Sequence, residues 1–160
     1  MELVGVDLNA TLIAQATRLA GVERLRCRFV TGDAFEPGVA VEDGARTIVI
    51  STGLLHHLPA AQLPEFFAAQ RRLGVHAFAH WDFDAGPWAT LGAWVFHRAR
   101  TREAVSRHDG VLSARRAHPA AALLRAARLG ADGYRIACVD GPRWLPRLTH
   151  VVRPITGTRA

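Results

Sequence analysis

The stretch LVGVDLNATLIAQATRLA, residues 3–20, decides the fold. It is a short apolar run closed by an acid and followed by helical spacing. Val4 and Val6 are β-branched and Leu3 to Asp7 lacks polar alternation, which predicts a strand buried on both faces of a parallel sheet. Asn9 is placed to cap a helix. Its inward face is expected to carry Leu12, Ile13, Ala16, Leu19 and Ala20, with Gly21 as its end. Ligands of open α/β sheets sit beyond the carboxyl ends of the strands, where an acid such as Asp7 can accept hydrogen bonds from two ribose hydroxyls. Asp7 would equally serve as a turn residue at a helix start. The other strand ends must therefore speak for or against a nucleoside-containing ligand.

Working outward, Leu25 to Thr31 alternates like a strand near a sheet edge and runs into Gly32-Asp33-Ala34-Phe35. Thr47 to Ser51 reads as another strand buried on both faces, followed by Thr52, Gly53 and a helical turn over Leu54 to Leu58. Pro64 sits early in a helix with Phe66, Phe67, Gln70 and Leu73 on one face and Gly74 beyond it. Val75 to Phe83 is a strand with His76, Phe78, His80 and Asp82 on one side. Alternating strands and helices with short links call for a parallel sheet with right-handed crossovers. Pro87 to Ser106 then predicts a helix with an apolar stripe of Trp88, Leu91, Val95 and Ala99. Arg107-His108-Asp109-Gly110 is a turn signal, and Pro119 to Leu129 is a further helix. Tyr134 to Val139 and Leu148 to Arg153 alternate like two antiparallel strands joined by a loop with Asp140-Gly141-Pro142.

A chain of 160 residues suits one domain, residues 1–160. No apolar run is long enough to cross a bilayer, so no membrane is expected, and Met1-Glu2 does not open a secretory signal. Two cysteines, Cys27 and Cys138, fit a reducing cytoplasm and give no metal-site spacing. All 20 basic side chains are Arg. The absence of Lys excludes a phosphate-loop nucleotidase, a pyridoxal-phosphate enzyme and a protein kinase, each of which needs a particular Lys. It also suggests GC-rich coding of a bacterial kind. Residues 1–96 hold 7 Arg against 10 acids and residues 97–160 hold 13 Arg against 4. The basic half has no aromatic-interleaved run, and nucleic acid is not expected as a partner.

Asp7, then Gly32-Asp33-Ala34-Phe35, then Ser51-Thr52 stand at three successive strand ends that converge on one edge of a parallel sheet. With the final antiparallel pair and the run IVISTGLLHHL, residues 48–58, this order resembles the class I S-adenosylmethionine-dependent methyltransferases. The resemblance implies a Rossmann-like, mostly parallel sheet with helices on both faces and a C-terminal antiparallel strand pair. It implies S-adenosylmethionine as cofactor, with Asp7 and the adjoining Leu8 at the ribose, Asp33 at the adenine amino group, Ala34 and Phe35 bordering the base, and Ser51 and Thr52 at the same edge. The family opens with a strand and a Gly-rich turn for which no segment precedes Leu3. The domain is therefore expected to be N-terminally incomplete, with its first strand missing, impaired in cofactor binding and prone to self-association through an open sheet edge.

Methyl transfer from a sulfonium to a small-molecule acceptor asks mainly for alignment and, where needed, a base. His80, Asp82 and His108 are the candidates for that role or for substrate contact. His80, Asp82 and Asp84 diverge too much along one strand to hold a metal, and none is expected. Two alternatives keep the same residues. A nicotinamide-dependent oxidoreductase fragment could use Asp7 on a ribose, although Tyr134 lacks a companion Lys. A non-catalytic relic or partner subunit would use the open edge and the basic half.

Overall fold

The structure, a computed structural model, describes residues 1–41, 44–83, 85–100, 102–138 and 152–160. The opening stretch folds as read: β1 (Leu3–Asp7) leads into α1 (Ala10–Glu23), whose first amides, those of Thr11 and Leu12, donate to the Asn9 side chain at 3.0 and 3.2 Å. α1 does not end at Gly21. It runs on to Glu23 and closes on Arg24, which takes a left-handed conformation at φ 55°. Glycine inside a helix costs only about 1 kcal/mol, so Gly21 permits a stop without compelling one. Of the expected inward face, Ile13, Ala16 and Ala20 turn inward, while Leu12 and Leu19 are exposed.

β2 (Cys27–Thr31) pairs in parallel with β1, Leu3 opposite Cys27 and Asp7 opposite Thr31. β3 (Ile48–Thr52) pairs in parallel with β4 (Ala77–Phe83). Between them lie a 3-10 turn at Leu55–His57 and α2 (Leu63–Arg72), with Pro64 in its first turn. Then come α3 (Pro87–Arg100), α4 (Ala104–Arg116), α5 (Ala120–Gly130), β5 (Tyr134–Cys138) and β6 (Val152–Arg159). β6 lies antiparallel between β4 and β5, giving a four-stranded order β3-β4-β6-β5 beside the two-stranded β1-β2. This is a mixed α/β fold with parallel pairs early and antiparallel strands late. The loop at Asp140-Gly141-Pro142 and the first part of the expected strand from Leu148 lie outside the described residues.

Three expectations need correction. The last strand runs further toward the C-terminus: the sequence reading stopped it at Arg153, yet pairing continues to Arg159 through Pro154 and Gly157, residues that usually interrupt strands. Gly157 is required there, since a Cβ would fall 2.3 Å from the Phe78 ring. Next, Arg107 to Gly110 is no turn but part of α4, which begins at Ala104. Lastly, β1 and β3 are not buried on both faces. Ile48 is 62% and Ile50 67% exposed, and Leu3 and Val6 also face solvent.

The main core forms where α2 and α5 cover one face of the four-stranded sheet. Phe66, Phe67, Leu63, Leu123 and Ala127 meet Phe78, Val75 and Ile155 there. Among the described residues no backbone pairing joins β1 to β3, so the two ladders are separate and β1 and β3 each keep one edge without a partner strand. They are tied at their carboxyl ends: Phe35, beyond β2, sets its ring edge-on to Phe66 at 6.0 Å, and Ala34, Leu54 and Leu58 pack on the same core. The strand ends after β2 and β3 are therefore on one side of the molecule.

Candidate functional site

Each of the first two strands ends in an acid held by its own turn. Asp7 Oδ1 accepts the Asn9 amide at 2.7 Å, and Asp33 Oδ1 accepts the Phe35 amide at 2.8 Å. The second oxygen of each carboxylate carries no hydrogen bond among the described residues. Leu8 is largely exposed beside Asp7, whereas Ala34 and Phe35 are half-buried against the core. At the ends of β3 and β4 a cleft of about 490 Å³ is lined by Thr52, Gly53, Trp81, Asp82 and Phe83.

Asp82 is buried and fully engaged. Its Oδ2 accepts the His56 amide at 2.9 Å, and its Oδ1 accepts His56 Nδ1–H and the Phe83 amide, each at 2.7 Å. An acceptor at Nδ1 leaves Nε2 of a neutral His56 ring as the basic nitrogen. That atom is buried and has no hydrogen-bond partner among the described residues. The ring lies beside Gly53, its Cε1 3.8 Å from where a Gly53 Cβ would stand, and packs on Phe83 and His57. His118 stabilises the turn that carries it, with Nε2 3.1 Å from the Leu55 carbonyl and 2.9 Å from that of Leu58.

His80 occupies a different environment. It is fully buried among Phe66, Phe67 and Phe78, with Nδ1 2.8 Å from Ser51 Oγ and Nε2 3.1 Å from Gln70 Oε1. Burial drives its pKa down to about 3 against a smaller opposing pull from Asp82, so the ring is neutral. It braces Ser51 from below. His108 lies on α4 in a second cleft with Ala104, Val105, Ser106 and Asp109. The structure thus brings Asp82, Thr52 and Ser51 to one region, buries His80 beneath it and sets His108 elsewhere. Asp84 lies outside the described residues, and no group of three metal-ligating side chains occurs among those described. Tyr134, the chain's single tyrosine, donates its hydroxyl to the Val75 carbonyl, and burial raises its pKa.

His56 is the residue that sequence reasoning missed. Its partner is 26 positions away on another strand, and a His-His pair in a turn carries no local sign of which ring turns inward.

A family model described as methyltransferase domain matches residues 1–74. No curated protein matches the chain. Among solved structures, magnesium protoporphyrin IX methyltransferase from Synechocystis PCC 6803 with bound SAH superposes with a TM-score of 0.60 at 18% identity, over 98% of this chain and 63% of that one. An O-methyltransferase family protein from Burkholderia thailandensis gives 0.61 at 16% identity, over 98% and 43%. A protein from Pyrococcus horikoshii OT3 gives 0.61 at 15%, over 100% and 72%. The chain spans less than two thirds of the length of the two methyltransferases. Its fold is the one these methyltransferase structures share, and the fold expected from the sequence holds.

Proposed function

We propose that this domain serves S-adenosylmethionine-dependent methyl transfer to a small-molecule acceptor, and that residues 1–160 alone perform it poorly. The observation that carries the reading is the pair of acids, Asp7 and Asp33, at the carboxyl ends of two directly paired parallel strands. The residues present fit the nucleoside end of the cofactor: each acid keeps one oxygen for a hydroxyl or amino donor, and Leu8, Ala34 and Phe35 supply apolar neighbours. Ser51 and Thr52 close the same edge. The gap between β1 and β3 offers, among the described residues, no amides for the amino-acid end. When bound, the cofactor supplies an electrophilic methyl group on a leaving sulfonium.

The chain's own part is then positioning. Asp82 holds the His56 ring through Nδ1 and the turn through the backbone amide, which fixes the Gly53 wall of the cleft. His80 maintains the Ser51 hydroxyl. The bare edges of β1 and β3 are the surface through which copies associate.

Isothermal calorimetry with S-adenosylmethionine tests this. The chain is expected to bind weakly, and Asp7→Ala to weaken binding further by about 1–3 kcal/mol, the range for charge-assisted hydrogen bonds. His56→Gln is expected to leave binding unchanged while lowering turnover. Sedimentation of the same sample is expected to show concentration-dependent association. Equal binding by Asp7→Ala, Asp33→Ala and the parent would reject the site.

A further inference from the structure

α3 is amphipathic in the opposite sense to a core helix. Its small and polar residues, Ala89, Thr90, Ala93 and His97, face inward, and α4 meets that side with Gly110, Ser113 and Ala114. The approach is close enough that a Cβ at position 110 would fall 2.0 Å from His97 Nε2. Its large apolar residues, Trp88, Leu91, Trp94, Val95 and Phe96, face solvent, each between 49% and 65% exposed. At 100° per residue they cover about 200° of the helix circumference. That is wider than the seam one neighbouring helix would bury. A contiguous apolar patch of this kind marks an interaction surface.

The charges around it say what it meets. Residues 85–118 hold six Arg against two acids, and Arg98, Arg100 and Arg102 stand exposed at one end of the stripe. The three-residue link makes α3 and α4 an antiparallel hairpin, so the exposed Arg115 and Arg116 of α4 lie toward the other end. The Arg98 guanidinium lies 5.2 Å from the centroid of the Trp94 ring, pairing a cation with an amphipathic aromatic. A second copy would bring a like-charged rim against this one, in a chain with net charge +6. An anionic bilayer surface complements both the rim and the stripe.

We infer that the α3–α4 hairpin is a docking surface for anionic phospholipid membranes, with Trp88, Leu91 and Val95 entering the headgroup boundary and the flanking Arg residues meeting lipid phosphates. The helix lies on the surface. None among the described residues is long and apolar enough to cross a membrane, and interfacial helices need only an apolar face with basic flanks. The sequence expectation of no membrane rested on spanning length and on reading the Arg residues as solvated helix faces; the apolar stripe beside them is what the structure adds. Such docking would bring the cleft of the same chain within reach of acceptors dissolved in the lipid.

The experiment is flotation of the 160-residue chain with vesicles of phosphatidylcholine alone and of phosphatidylcholine containing phosphatidylglycerol, read with tryptophan emission. Binding with a blue shift on the anionic vesicles only is expected, weakening as salt is added. Trp88→Ser with Leu91→Ser should lower the partition coefficient at least about tenfold. Arg98→Gln with Arg100→Gln should lower it by about fivefold per charge removed. All four positions are exposed, and an unchanged thermal transition confirms folding. Absence of vesicle binding overturns the inference, as does binding that both double variants retain. So does a sedimentation dimer of the parent that Trp88→Ser with Leu91→Ser dissolves, which would make the stripe a contact between copies.

Discussion

His80 shows how one side chain can set an acid limit on the whole fold. Three phenylalanine rings enclose it, its two nitrogens are matched to Ser51 and Gln70, and it stays neutral down to about pH 3 because burial disfavours the charged form. In the unfolded chain an ordinary histidine takes up a proton near pH 6.5. Between those values the unfolded state binds a proton that the native state does not. The contribution of His80 is therefore fully present above pH 6.5 and is lost as pH falls toward 3, by up to about 1.4 kcal/mol per pH unit. Urea unfolding at pH 7.5 and at pH 5 should show a smaller loss for His80→Gln than for the parent. An equal loss in both would place the acid sensitivity in another group.

At the scale of elements, Gly110 is worth testing because local propensity and packing disagree about it. Alanine is preferred over glycine inside a helix by about 1 kcal/mol, yet the added methyl would collide with the His97 ring. Overpacking costs about 1–3 kcal/mol, so Gly110→Ala is expected to lower stability. Adding His97→Ala should recover that loss and turn the same change into a gain, read by the coupling energy of the thermal double-mutant cycle. The sequence reading took Gly110 for a turn. Glycine after Arg-His-Asp does signal one, and only the ring of a residue thirteen positions earlier, on a different helix, shows why glycine is required there. The same limit applies to β6. Pro154 and Gly157 argue against a strand locally, and the reason for Gly157, the Phe78 ring opposite it, is a long-range fact. By contrast β1, α1 with its Asn9 cap, α2 and its apolar face, and the strand-end acids were legible because each is defined by neighbours within a few positions. Asp82 was legible as a strand-end acid. Its service to His56 was not.

For the molecule as a whole, the sequence led one to expect an open sheet edge, and among the described residues no backbone pairing joins β1 to β3. Ile48 and Ile50, read as core from their β-branched run, face solvent instead, because they share the face of β3 opposite Val49, which packs on the core. A run of apolar residues reports that a strand suits two covered faces, and cannot report whether both covers are there.

That separation bears on how the protein comes apart. Strands β4, β6 and β5 share pairing and the α2–α5 core, so their amides should open only with the largest unfolding event. The β1–α1–β2 unit adheres to the rest chiefly through Ala34 and Phe35. It should therefore melt as a cooperative unit of its own. Native-state hydrogen exchange is expected to sort the chain into two classes, with Leu3–Asp7 and Cys27–Thr31 exchanging through a low-energy opening that denaturant barely affects and Ala77–Phe83 exchanging only near the global transition. A single class spanning both ladders would mean that contacts across the gap bind them into one unit. If two classes appear, the acids proposed to hold the nucleoside sit on the looser part, and ligand occupancy becomes a means of making a two-step unfolding curve collapse into one.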